Sequence, residues 1–167
     1  TKEDLLRLKE QLNKNGLFAY SFVSDYNNAS DIKTYGVSVY CNDKSFYIEN
    51  KDDNFEILKD IFENEKIKKY THNSKNDINI LKNMNIELKG VDFDVYLASY
   101  IKNPSRIHDL SAQAFDYINH ISAKLQVDKK NKISDIELQK VADYANDNAF
   151  TIFNLAEFWK NELTSSE

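Results

Sequence analysis

The chain is predicted to fold as an α/β domain around a sheet of mixed strand direction. Two observations carry that expectation. Three apolar or alternating runs, at residues 17–23, 33–40 and 45–49, follow one another with only short polar connections, the pattern of an antiparallel meander. Beyond them, helical spacing alternates with short apolar runs, and strands separated by helices pair in parallel. With 167 residues, 41% hydrophobic and 13% aromatic, the chain can bury the core of one domain.

Residues 3–14 place Leu5, Leu8 and Leu12 on one helical stripe, and Asn15-Gly16 ends that helix. Residues 17–23 are apolar and aromatic and suit a central strand. Asp25 to Asp31 reads as a polar turn. Residues 33–40 alternate, with Tyr35, Val37 and Val39 on one face and Gly36 and Ser38 on the other. The turn Asn42-Asp43-Lys44 leads into the strand at 45–49. Phe55, Leu58, Ile61 and Phe62 form the stripe of a second helix. Lys66 to His72 is a short strand, followed by a helix from Ser74 to Met84. After Gly90, residues Phe93 to Tyr100 run from a strand end into a helix that Pro104 closes. Asp109 is placed to cap a helix carrying Leu110 and Phe115. Residues 119–133 are polar and irregular. Ser134-x-x-Glu137 is a capping-box pattern, and Val141, Ala145, Asn148, Ile152, Leu155 and Trp159 recur beyond it at helical spacing. Leu163 to Glu167 is expected to fray. No repeat, low-complexity block or interdomain linker interrupts the chain. Residues 1–167 therefore read as one domain, a leading helix over 1–16 and a core over 17–163. The opening Thr, in place of Met, suggests a domain excised from a longer protein.

Composition narrows the function. The net charge is −5 and the pI about 5.3, whereas free-standing nucleic-acid binders rely on a basic face. Acidic and basic residues are mixed along the chain, as on a solvated surface, so DNA is expected to be held only weakly. An acidic balance does not exclude a nuclease, because bound cations invert the local charge logic. No run of about 18 apolar residues and no signal peptide are visible, so no membrane association is expected. Cys41 is the single cysteine, which rules out an internal disulfide and fits a reducing compartment, the cytoplasm by default.

Several motifs, in order, carry a family resemblance. Phe18-Ala19-Tyr20 sits in the first strand. Asn73-x-Lys75-x-Asp77 precedes Ile80-Leu81. Ile86-Glu87-Leu88-x-Gly90-Val91-x-Phe93-Asp94 is followed by Leu97-x-Ser99-Tyr100, then His108-Asp109-Leu110, and finally Tyr144-Ala145. Together they resemble the proofreading-type 3′–5′ exonuclease domain of bacterial DNA polymerase I, in the ribonuclease H-like superfamily, from about Leu17 to Trp159. The resemblance implies a mixed five-stranded sheet, an antiparallel meander then parallel strands, flanked by helices. It also implies a parent chain with a polymerase module after Glu167 and a further N-terminal module.

Members with the full acidic set hold two divalent cations that clamp the scissile phosphate and activate a water. That chemistry needs several carboxylates, because Mg²⁺ is hard and prefers oxygen ligands. Here Ser21 and Val23 stand at the two acidic positions of the first strand, and Asn148 replaces the Asp of the last motif. Asp77 is the one acid kept, and Tyr144 occupies the position of the tyrosine that helps orient the water. Neighbouring acids are badly placed to substitute. Asp25 lies about 13 Å along the strand from Ser21, whereas paired catalytic cations sit about 4 Å apart. Asp147 is rotated by about 100° from Asn148 on a helix.

Blander roles compete at each position. Ser74-x-x-Asp77 is itself a capping-box pattern and suits the helix macrodipole. Tyr144 fits a packed tyrosine on the inner helix face, and Asp94 a cap. His72, His108 and His120 lack metal-ligand spacing, Cys41 has no paired base, and Trp159 fits the core. The expectation is a vestigial, inactive exonuclease domain that serves as a scaffold for a polymerase in DNA replication and repair. It would be a monomer with no cofactor of its own. The alternatives are a weak 3′–5′ exonuclease using Mg²⁺ or Mn²⁺ through Asp77, and a module that binds single-stranded DNA without cleaving it.

Overall fold

The computed structural model describes residues 1–127 and 132–165. Its strands are β1 (Leu17–Asn28), β2 (Asp31–Cys41), β3 (Lys44–Glu49), β4 (Lys68–Thr71) and β5 (Val91–Asp94). Its helices are α1 (Lys2–Asn15), α2 (Asn54–Phe62), α3 (Ser74–Lys82), α4 (Val95–Lys102), α5 (Leu110–Ile118) and α6 (Leu138–Ser165). The strands form one sheet in the order β3-β2-β1-β4-β5. β2 pairs antiparallel with both β1 and β3, while β4 pairs parallel with both β1 and β5. This is the expected meander followed by parallel strands.

Because β1 is central, both of its faces are covered. Phe18, Tyr20 and Phe22 face a layer made by Leu5, Leu8 and Leu12 of α1, Phe55, Leu58 and Phe62 of α2, and Leu81 of α3. Phe62 meets the Tyr20 ring edge-on at 5.5 Å and the Phe18 ring at 6.0 Å. On the other face, Ala19 packs with Ala149, Ile152, Leu155 and Trp159 of α6, and Val23 with Val141 and Ala145. The buried indole of Trp159 donates to the Gln113 side-chain oxygen at 3.0 Å, and Gln113 donates to the carbonyls of Val95 and His108. One amide thus joins α4, α5 and α6.

Local signals account for most boundaries. Thr1 forms a capping box with Asp4, and Gly16 ends α1 in the left-handed region at φ 73°. Asn42 and Asp43 both have positive φ, 53° and 61°, the two-residue turn that matches strand twist. Four expectations are corrected. The segment Asp25 to Asn28 is strand, and the turn is confined to Ala29-Ser30. Its polar side chains are satisfied on a strand that projects past the core: Asn27 donates to Asp31, and Tyr35 to Asp25. The ladder slips by one residue between Val23↔Gly36 and Ser24↔Thr34. That bulge turns Tyr35 to the α6 side with Val23, away from Val37 and Val39. Ser134 lies in a single 3-10 turn, Ile133–Asp135, and α6 begins only at Leu138 with the Glu137 carbonyl accepting its first bonds. Finally, α6 stays helical through Ser165, so the fraying expected at Leu163 is not seen; residues 166 and 167 lie outside the described residues. Residues 119–127 carry no regular structure, and the rest of that irregular stretch, 128–131, also lies outside the described residues.

Lys69 is the least ordinary core residue. Its side chain is fully buried, and its ammonium donates to the carbonyls of Asn64 and Lys89, each at 2.8 Å, with no carboxylate partner. Burial, with a smaller push from Lys68, lowers its pKa from 10.5 to about 8. The unfolded chain therefore holds this proton up to a higher pH than the folded one. Stability should rise as pH climbs from 8 to 10.5. Denaturant unfolding of the wild type and Lys69→Met across that range should show their difference moving toward the wild type by up to about 3 kcal/mol. A pH-independent difference would contradict the assignment.

Candidate functional site

A cleft of about 640 Å³ opens along the middle of β1 and past the end of β4, lined also by residues of α3 and α6. Ser21, Asp77, Tyr144 and Asn148 all line it. Strand β1 supplies Ser21 on its α6 face, α3 supplies Asp77 from its first turn, and α6 supplies Tyr144 and Asn148 one turn apart. Tyr144 is half-buried and faces this open space, not the packed inner layer expected for it. Val23 is not among the lining residues. It is 3% exposed and packs against Val141 and Ala145. The sequence spacing thus brought together four of the five singled-out positions.

Asp77 does not act as a helix cap. The N-cap of α3 is Asn73 at φ 72°, with no side-chain capping bond. The Asp77 carboxyl instead turns inward, 7% exposed. The Tyr20 hydroxyl donates to its Oδ2 at 2.9 Å, and the Thr71 hydroxyl donates to the same oxygen. Burial dominates its titration and raises the pKa from 3.8 to about 7; the two hydroxyl bonds oppose the rise and the nearby Asp94 adds to it. Burial, then the charge of Asp77, pushes the Tyr20 phenol well above its ordinary value.

The surrounding acids are engaged elsewhere. Asp94 caps α4 through Tyr96 and also accepts from the backbone N–H groups of Asn73 and Ser74, at 2.9 and 2.7 Å, which fixes the entry to α3. Asp25 accepts from Tyr35 at 2.6 Å, beyond the bulge. Asp147 points away from the cleft: it accepts from His120 Nε2 at 2.7 Å and from the Ala123 N–H at 2.9 Å. That pair of bonds holds the segment 119–125, from which Ser122, Ala123, Lys124 and Leu125 line the cleft. His72 donates from Nε2 to the His108 carbonyl at 2.8 Å, and burial lowers its pKa. The Cys41 thiol is buried, and burial raises its pKa.

These residues do not fit a pair of divalent cations. Such a pair needs several carboxylates around it. Among the described residues that line the cleft, Asp77 and the exposed Asp109 are the only acids. Asp77 already accepts two hydroxyl protons on one oxygen, Ser21 and Asn148 offer neutral oxygens, and Val23 offers none. Among the described residues, no group of three or more His, Cys, Asp or Glu side chains is placed to hold a metal.

Sequence reasoning missed Tyr20 and Thr71 as parts of this site. A signal existed. A tyrosine amid apolar strand residues must find a partner for its hydroxyl, and Thr71 ends the neighbouring parallel strand.

Comparison with known proteins agrees with this architecture. Residues 22–155 match the family model of the DNA polymerase I ribonuclease H-like domain. A 67-residue stretch is 42% identical to DNA polymerase I of Bacillus subtilis (strain 168), covering 40% of this chain and 8% of that protein. The POL domain of Pol1 from M. smegmatis, solved in complex with DNA primer-template and dNTP, superposes with a TM-score of 0.76 at 20% identity, over 96% of this chain and 26% of that one. Escherichia coli RNase D, an exoribonuclease involved in structured RNA processing, superposes with a TM-score of 0.75 at 15% identity, over 99% of this chain and 44% of its own. The chain thus spans only a small part of these polymerases, and at these identities the structural matches speak for the fold. With the matched segment covering most of its length, the chain belongs to the DNA polymerase I ribonuclease H-like domain family.

Proposed function

We propose that this domain is a retired 3′–5′ exonuclease that serves as a structural scaffold for a DNA polymerase, in replication and repair. One observation carries the reading. Of the four acidic positions, three hold Ser21, Val23 and Asn148, and the fourth, Asp77, is sequestered by Tyr20 and Thr71. Without carboxylates to balance two cations, the attacking water is not activated and the leaving oxygen is not stabilised. The polymerase module of the same parent chain is the proposed partner, and the domain is proposed to act as a monomer in the cytoplasm without a cofactor. The open cleft supports a second reading, a grip on single-stranded DNA without cleavage. The net charge of −5 argues that such a grip is weak.

Digestion of a 3′-labelled single-stranded oligonucleotide, in Mg²⁺ and then Mn²⁺, tests the main reading. No cleavage above an Asp77→Ala control is expected. Metal-dependent cleavage lost in that control would overturn it. Oligonucleotide binding that falls steeply with salt would favour the second reading.

A structural Asp77 also has a pH signature. Its folded pKa, about 7, lies above its ordinary 3.8, so its contribution to stability is complete below pH 3.8 and lost as pH rises through 7. Relative to Asp77→Asn, the wild type should lose up to about 4 kcal/mol of stability between those limits. Chemical denaturation of both proteins across that range checks this, and a constant difference would count against it.

A further inference from the structure

We propose that Tyr20 and Thr71 form a lock that withholds Asp77 from cations, so that restoring the three missing acids gives a tight divalent-cation site only when both hydroxyls are also removed. The inference rests on the reading of the domain as a retired nuclease, and it concerns two residues outside the family's acidic motifs.

Strand geometry places the lock. Alternation along β1 sends Ser21 toward α6 and Tyr20 to the opposite face, among Phe18, Phe22 and Phe62. On the parallel neighbour β4, Tyr70 packs on the α6 face with Ala19, so Thr71 shares the face of Tyr20. Both hydroxyls therefore reach Asp77 from the side away from Ser21 and Asn148.

Their convergence on a single oxygen is the decisive feature. A carboxylate oxygen has two lone pairs, and Tyr20 and Thr71 take both on Oδ2. Only Oδ1 is left free of these two bonds. Tyr20 is 0% exposed and Thr71 1% exposed, so neither hydroxyl can turn to solvent if the carboxyl rotates toward a cation. The two hydroxyls could then bond only each other, so at least one buried donor would lose its acceptor, a loss that weakens cation binding by about tenfold.

The test compares three variants of the 167-residue chain for Mn²⁺ binding by calorimetry, with circular dichroism to confirm folding. The first carries Ser21→Asp, Val23→Glu and Asn148→Asp. The second adds Tyr20→Phe and Thr71→Val, and the third adds Asp77→Ala to the second. The five-substitution chain is expected to bind Mn²⁺ at least about tenfold more tightly than the three-substitution chain, and Asp77→Ala should abolish the gain. Equal affinity in the first two chains would overturn the proposal, as would an absence of Mn²⁺ binding in the five-substitution chain. Val23 is buried, so if Val23→Glu unfolds the chain, the pair Ser21→Asp with Asn148→Asp is compared with and without the two hydroxyl substitutions, and the same gap decides. Nuclease activity of the unaltered chain would overturn the reading of a retired domain instead, so the two failures are distinguishable.

Discussion

A carboxyl group carried into a protein interior must either give up its charge or be supplied with donors. Asp77 does some of each. Tyr20 and Thr71 donate to it, and its pKa still rises to about 7 because burial outweighs those bonds. The arrangement joins β1, β4 and α3 at the point where the sheet meets the cleft. It satisfies two buried hydroxyls that would otherwise have no partner, and so gives the last acid of the site a structural task. Asp94 completes the local frame from β5 by holding the turn into α3.

The neutral residues in and beside the cleft are accommodated by packing and hydrogen bonds. Val23 adds apolar surface to the contact with Val141 and Ala145, where an uncompensated charge would be costly to bury. Helix α6 is registered on the sheet by packing and side-chain hydrogen bonds. Ser38 donates to the Asn146 side chain at 2.6 Å, Ser45 donates to the Asn146 carbonyl, and Trp159 is tied to Gln113. The elements around the cleft are thus held to the sheet by packing and neutral hydrogen bonds.

Much of the fold was legible because it is written in local periodicity. The leucine stripe of α1, the aromatic run of β1 and the Val141-to-Trp159 series each match a single element. The errors share a physical origin in non-local context. Tyr26, Asn27 and Asn28 look like a turn, yet they extend β1 because β2 pairs with Tyr26 and Asn28 around an irregularity at Asn27. Tyr35 leaves its expected face because of a bulge that alternation alone does not reveal. Two capping-box patterns, at Ser74 and Ser134, form no side-chain cap: Asp94 of β5 takes the Ser74 N–H, and Ser134 lies inside a 3-10 turn. The site was half legible. Motif spacing located Ser21, Asp77, Tyr144 and Asn148, but the partner of Asp77 lies 57 residues away on β1, and no spacing rule connects them.

The central claim is that this fold stands without metal. Thermal unfolding of the unaltered chain, first in chelator and then in rising Mn²⁺, tests it most directly. A site filled at a hundred times its dissociation constant adds about 2.7 kcal/mol of stability, or a rise in Tm of about 5 °C or more for a domain of this size. The account predicts the same Tm in chelator and in Mn²⁺. A saturable rise that disappears in Asp77→Ala would contradict it and return the carboxyl to metal chemistry.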